Sequence, residues 1–393
     1  MKVTGLVLGL FILVSSCQGS TVISAKVKTG ADRTEIYIPL LKGKSVALVA
    51  NHTTIIGRTH LVDSLTRRGV HIVKIFSPEH GFRGNAGAGD AVKDAKDPLT
   101  GIPVVSLYGQ SYKPSKADLK GTDLVIYDIQ DVGVRFYTYI STMHYVLEAC
   151  AESGIPIIIL DRPDPLGFYV DGPVLDTAFR SFVGMHPIPV VYGMTPGELA
   201  QMINSEGWLS NHVKCNLTVI PCTGYDHRSR YTLPVFPSPN LNSMEAVYLY
   251  PSVCLFEGTV MSLGRGTDYP FRVIGHPDYP DHSFSFIPKV NAANSNPLFV
   301  NKTCFGIDLR SLKVADLENQ NKINLQWLIR VFHAMNTGSS FFIPYISKLA
   351  GSDNLKRQVV SGLPELQIRQ SWEKDIAAFK KMRKKYLLYD DFE

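Results

Sequence analysis

The stretch FSPEHGFRG (76–84) sets Glu79 between a proline and a histidine, flanked by glycines, where neither a helix nor a strand has use for a carboxylate. A carboxyl in such a loop suits proton transfer to a polar substrate. His80 beside it reads as its orienting partner, a substrate ligand or a satisfied loop residue. Three further segments have the same character. Asn51 and His52 follow SVALVA. YDIQDVGVRFYTY (127–139) carries Asp128, Gln130, Asp131, Arg135, Tyr137 and Tyr139. LDRPDP (160–165) carries Asp161, Arg162 and Asp164. Acids, arginines and a histidine gathered on one rim suit acid–base chemistry and polar recognition. Taken singly, Asp128 and Asp161 read equally well as turn and cap formers. The two tyrosines suit sugar faces or a core equally well.

One kind of architecture brings these segments together. The apolar runs 45–50, 70–76, 124–127 and 157–160 are short enough for buried parallel strands. Between them lie helical patterns. Leu61 and Leu65 share a face before the stop at Gly69. Met143, Val146, Leu147 and Cys150 form a stripe closed by Gly154. Alternating strands and helices predict an α/β fold with a doubly wound parallel sheet. In such sheets ligands bind beyond the carboxyl ends of the strands, where every segment named above begins. Thr195-Pro196-Gly197-Glu198 predicts a capped helix start of structural value.

From about Pro234 the texture turns proline-rich and irregular, which places a boundary there: one domain over 25–235 and a second over 236–393. The second half offers PSPN, with Asn240, and CLFEGTVMSLGRGT (254–267), with Glu257, Arg265 and Thr267. This reads as a binding wall facing the rim, or more simply as a Glu257–Arg265 pair. A terminal helix from Ser371 has Trp372, Ile376, Phe379 and Tyr386 on one stripe. Its basic face, Lys380, Lys381, Arg383, Lys384 and Lys385, reads as solvated.

Several chemistries fit poorly. A net charge of +5 with 19% charged residues argues against a nucleic-acid binder. Gly84 to Gly89 is glycine-rich but is not the G-x-G-x-x-G dinucleotide signature. The chain has no G-x-S-x-G elbow, no P-loop and no H-E-x-x-H. No cofactor or metal is expected. At the N-terminus, Lys2, the apolar run 6–14 and Val14-Ser15-Ser16-Cys17 have the form of an export signal of the lipoprotein kind, which would lipidate Cys17. The expected address is therefore periplasmic, with a membrane contact through that anchor alone. Five cysteines lie beyond it in an odd set, mostly read as buried apolar residues, with a Cys215–Cys222 bridge left open.

FSPEHGFRG, YDIQDVGVRFYTY, LDRPDPLG, DGPVLD (171–176) and CLFEGTVMSLGRGT, in that order, together with the terminal KKYLLY, resemble a family of bacterial exported exo-β-N-acetylmuramidases. One departure is Val260, where the family pattern leads us to expect asparagine. The resemblance implies a Rossmann-like first domain, a smaller α+β second domain and a site in the cleft between them. It also implies release of N-acetylmuramic acid from the non-reducing ends of peptidoglycan fragments, with Glu79 as the leading catalytic residue. Such a reaction needs a carboxylic acid of raised pKa, which an apolar surround from Phe82 would supply. Its partner would be Asp128, Asp131, Glu257 or the substrate's own acetamido group. Arg83, Arg135 or Arg265 would pair with the lactyl carboxylate. The competing reading is a non-catalytic lipoprotein that binds cell-wall glycan.

Overall fold

The structure is a computed structural model that describes residues 26–83 and 94–393. The export signal, Cys17 and the glycine run Gly84–Gly89 lie outside the described residues.

Seven strands form the large sheet: β1 (Ser45–Ala50), β2 (His71–Ser77), β3 (Ala95–Lys96), β4 (Pro103–Ser106), β5 (Leu124–Asp128), β6 (Ile157–Leu160) and β7 (Leu217–Ile220). Their order is β3-β4-β2-β1-β5-β6-β7. All neighbours are parallel except β3, which pairs antiparallel with β4 at the edge. The sheet is therefore mixed, with a parallel body. The four apolar runs expected as strands are β1, β2, β5 and β6. The sequence reading passed over β3, β4 and β7, because short strands with half-exposed residues carry little apolar signal.

Alternation along the strands explains why both faces must be covered. Ala47, Val49, Val125, Tyr127, Ile157 and Ile159 enter one cluster. Val46, Leu48, Ala50, Ile126, Ile158 and Leu160 enter a second, on the other side. Helix α1 (Leu61–Arg67) puts Leu61, Val62 and Leu65 into the second cluster. Helices α2 (Tyr139–Ser153) and α3 (Pro196–Ser205) cover the first face. Gly154 ends α2 at φ 67°, the left-handed cap that only glycine adopts at no steric cost. The capping box at Thr195 and Glu198 is present as the sequence predicts.

The second half starts with α4 (Met244–Val253) and contains a three-stranded antiparallel sheet. Its strands are β8 (Val273–His276), β9 (Ser285–Phe286) and β10 (Cys304–Asp308), in the order β8-β10-β9. Helices follow, among them α5 (Gln326–Met335), α6 (Tyr345–Ala350) and the terminal α7 (Glu373–Arg383). The architecture is thus two-domain α/β, a large mixed sheet followed by a smaller unit of sheet and helices. The halves share one hydrophobic cluster, in which Leu249, Val253, Ile346, Trp372 and Phe379 join the α2 side of the large sheet.

The basic face of α7 differs from expectation at one position. Arg383 is fully buried and donates to the Gly193 carbonyl at 2.7 Å and to Asp391 at 2.8 Å. Lys384 and Lys385 instead reach Glu393 and Glu206. The five described cysteines are buried and unbridged, Cys215 and Cys222 among them.

Candidate active site

Beyond β2 the chain turns sharply, with the Gly81 amide donating to the Pro78 carbonyl at 3.1 Å. His80 occupies the turn at φ 71°, a conformation that costs a non-glycine residue energy and is found where geometry is fixed for function. The turn delivers Glu79, half-buried, to the N-terminus of α2. There the Thr138 hydroxyl donates to Glu79 Oε2 at 2.7 Å. Tyr108, just beyond β4, puts its hydroxyl against the same carboxylate. Burial first, and then the Glu79 charge, push that phenol well above its ordinary pKa, so it stays a protonated donor.

Glu79 and Tyr108 form the first-half wall of a cavity of about 880 Å³. The facing wall comes from the second half. It is made by Glu257, Thr259, Val260 and Arg265 in the loop after α4, His276 at the end of β8, the 294–299 loop, Ile343 and Tyr345. Arg265 donates to Glu257 Oε1 through Nη2 at 2.6 Å and Nε at 3.1 Å. Their side chains remain 28% and 23% exposed, so this pair faces the cavity rather than the core. Burial opposes the guanidinium charge, but Glu257 outweighs it and raises the Arg265 pKa. The wall loop is pinned internally. The Thr259 hydroxyl donates to the Phe256 carbonyl at 2.7 Å, and the Thr267 hydroxyl to the Gly264 carbonyl at 2.6 Å. A recess of about 50 Å³ continues the site, lined by Glu79, His80, Tyr137, Asn240 and Arg265. The amides of Asn240 and Asn294 hydrogen-bond each other at 2.9 Å, tying the recess to the 294–299 loop.

Six of the expected residues, Glu79, His80, Tyr137, Asn240, Glu257 and Arg265, therefore meet around one space. The others line neither cavity. Asp128 is buried in a two-point ion pair with Arg162, at 2.5 and 2.8 Å. Asp161 accepts from Thr195, from the Gly197 amide at the start of α3 and from Tyr389; burial pushes it up to about 7. Asp131 accepts from the Gly133 amide at 2.8 Å and from the Tyr192 hydroxyl, and burial raises it to about 6. Gln130 donates to the carbonyls of Asp131 and Pro163, while Asn51 accepts from Thr53 in a local turn. Arg135 is fully buried and donates to the carbonyls of Pro173, Ile188 and Leu349 at 2.7 to 2.8 Å. Burial lowers its pKa to about 9. Arg83 pairs with Asp97 at 2.9 Å. The Tyr139 hydroxyl donates to the Pro237 carbonyl at 3.0 Å, as that of Tyr137 does at 2.9 Å. Phe82 packs edge-on to His60 at 4.9 Å in the cluster on the α1 side of the sheet and lines neither cavity.

Residues 46–245 match the N-terminal family model, and residues 248–389 the C-terminal one, of the exo-β-N-acetylmuramidase NamZ. The chain belongs to this family. It is 37% identical over 396 residues to the peptidoglycan β-N-acetylmuramidase NamZ of Bacillus subtilis (strain 168), covering 95% of this chain and 94% of that one. A crystal structure from Bacteroides fragilis, described as a DUF1343 family protein, superposes with a TM-score of 0.88 at 46% identity, covering 93% of this chain and all of that one (100%). A second such protein from the same organism gives 0.78 at 28% identity, covering 93% of this chain and 99% of that one.

Thr138, Tyr108, His276, the 294–299 loop and Tyr345 line or touch the cavity without standing out in the sequence. Thr138 has a usable signal, since it lies inside YDIQDVGVRFYTY just before α2. The rest carry no cluster of acids, and only the chain path brings them to Glu79.

Proposed function

We infer that the protein is an exo-acting glycosidase that releases N-acetylmuramic acid from the non-reducing ends of peptidoglycan fragments. Family membership across both halves carries this reading, and a cavity with one carboxylate on each wall supports it. Glu79 is proposed as the proton donor to the leaving glycosidic oxygen. Thr138 and Tyr108 donate to its carboxylate and fix its orientation. Across the cavity Glu257, ion-paired to Arg265, offers a fixed negative charge. That charge can stabilise an oxocarbenium-like centre or orient the substrate's acetamido group. Arg265 keeps further N–H donors for a carboxylate such as the lactyl group. Tyr137, Asn240 and His80 are proposed to shape the recess beneath the sugar. Because Asp128 and Asp131 are committed to internal partners away from the cavity, Glu257 is the preferred second group.

The parallel strands, numbered in chain order, run 3-2-1-4-5-6 across the sheet; we read this order as Rossmann-like, with the boundary between the halves near 235. We also propose export with lipidation at Cys17 and a periplasmic address. Mass analysis of the mature N-terminus tests this, and an unmodified, uncleaved chain would reject it.

The reaction is tested with an aryl β-N-acetylmuramide beside the matching β-N-acetylglucosaminide. Release from the muramide alone, lost in Glu79→Gln, is the expected result. Release from neither substrate, or undiminished turnover by Glu79→Gln, would overturn the assignment.

A further inference from the structure

Tyr108 faces two ways. It lines the cavity with Glu79, and its ring also meets Tyr112 at 5.8 Å and Phe182 at 6.0 Å. Tyr112 lies on Phe182 at 4.1 Å, and Phe182 lies parallel to Tyr145 at 6.3 Å with 15° between planes. None of these four rings belongs to a hydrophobic core cluster among the described residues. Tyr112 is 36% exposed, and Phe182 and Tyr145 are half-exposed. A row of rings that packs on itself at the surface, outside the core, needs a reason beyond folding.

The row ends in a groove of about 390 Å³ lined by Tyr145, Trp208 and Arg180. Arg180 is exposed and close enough to depress the pKa of His144 in the same groove, after the larger effect of burial. It also lines a neighbouring groove of about 440 Å³ with Lys348, Lys356 and one acid, Asp353, next to the Ile343–Tyr345 edge of the catalytic cavity. Aromatic faces followed by cations, continuous with the cavity, complement a chain of sugar rings that carries carboxylates.

We propose that Tyr108, Tyr112, Phe182 and Tyr145 form a track for the leaving side of the substrate. The track holds the glycan beyond the scissile bond, and Arg180 meets a lactyl or peptide carboxylate on that glycan. The protein is thereby suited to peptidoglycan chains over single glycosides. The proposal rests on the exo-muramidase reading and goes beyond it, because a site for the terminal sugar alone requires nothing past Tyr108.

The test compares kcat/KM on a muramic-terminated glycan chain with kcat/KM on the aryl muramide. Phe182→Ala should lower the ratio of the two by about tenfold, the scale of one lost stacking partner. Phe182→Tyr should keep the wild-type ratio, and Arg180→Ala should lower it whether the chain carries free lactyl carboxylates or peptide stems. Calorimetry with a leaving fragment alone, a chain that begins with N-acetylglucosamine, gives a readout independent of turnover: binding to wild type, weakened by Phe182→Ala. An unchanged ratio, or equal binding by wild type and Phe182→Ala, overturns the track. Failure of wild type to cleave the aryl muramide would overturn the hydrolase reading instead, and fragment binding would still decide the track.

Discussion

Two sets of charged side chains gather beyond the strands of the large sheet, and they differ in where their hydrogen bonds go. Asp128, Asp131, Asp161, Arg135 and Arg162 are almost wholly buried, and their bonds run to one another, to backbone groups, to tyrosines or to the Thr195 hydroxyl. Glu79, Glu257 and Arg265 are half-buried and face a cavity large enough for a sugar. The first set knits loops together. Arg162 locks the end of β5 to the loop after β6, Asp161 anchors the start of α3, and Arg135 ties the first half to the residues of α6. The second set lines the cavity itself, where a substrate can reach it. Charge density therefore does not mark the reactive place here. A charged group on the wall of an open cavity does.

The sharpest way to break this contrast is at Glu79. Glu79→Gln keeps an acceptor for the Thr138 hydroxyl but removes the proton, so kcat should fall by about a thousandfold with little change in melting temperature. A comparable loss of kcat in folded Asp131→Asn would place the chemistry in the buried set and reverse the assignment. Asp128→Ala should act in the opposite sense. It leaves the Arg162 guanidinium buried without its partner, which costs about 3–5 kcal/mol of stability. The fraction still folded should turn over normally. A stable but inactive Asp128→Ala would show that the carboxylate serves catalysis.

The sheet was largely readable in advance because buried parallel strands need unbroken apolar runs, and 45–50, 124–127 and 157–160 are such runs. Glu79 was readable for a related reason, as a carboxylate placed where no element calls for one. The rim was over-read. A sequence shows that Asp161 follows a strand, but not that Gly197 and Tyr389, from 36 and 228 positions away, will use up its oxygens. The far wall was half-read, since Glu257 and Arg265 lie in a dense motif. His276 and the 294–299 loop carry no acid and no motif, and only the fold joins them to Glu79.

A smaller effect is expected at the cavity pair. Arg265→Met should lower kcat/KM on the muramide by about ten- to a hundredfold, through loss of a charge-assisted contact. Stability should fall by less than in Asp128→Ala, because this pair keeps about a quarter of its surface open to solvent and the Asp128–Arg162 pair at most 2%. A large drop in melting temperature would move Arg265 into the knitting set.

The smallest effect separates the sets by pH. Burial raises Asp131 to about 6 from an ordinary 3.8, so between these values the folded protein holds a proton that the unfolded chain has released. Its contribution to stability is complete below pH 3.8 and is lost as pH rises towards 6. Asp161, raised to about 7 by burial, extends the same slope upward. Asp131→Asn carries no such proton, so its melting temperature should fall less steeply between pH 4 and 6 than that of wild type. The difference is best read as the slope of melting temperature against pH, because it cancels any fixed cost of the substitution. Parallel slopes would mean that Asp131 is already ionised in the folded state, with its charge met by more than the Gly133 amide and the Tyr192 hydroxyl. It would then rejoin Glu79 and Glu257 as a carboxylate available to a substrate.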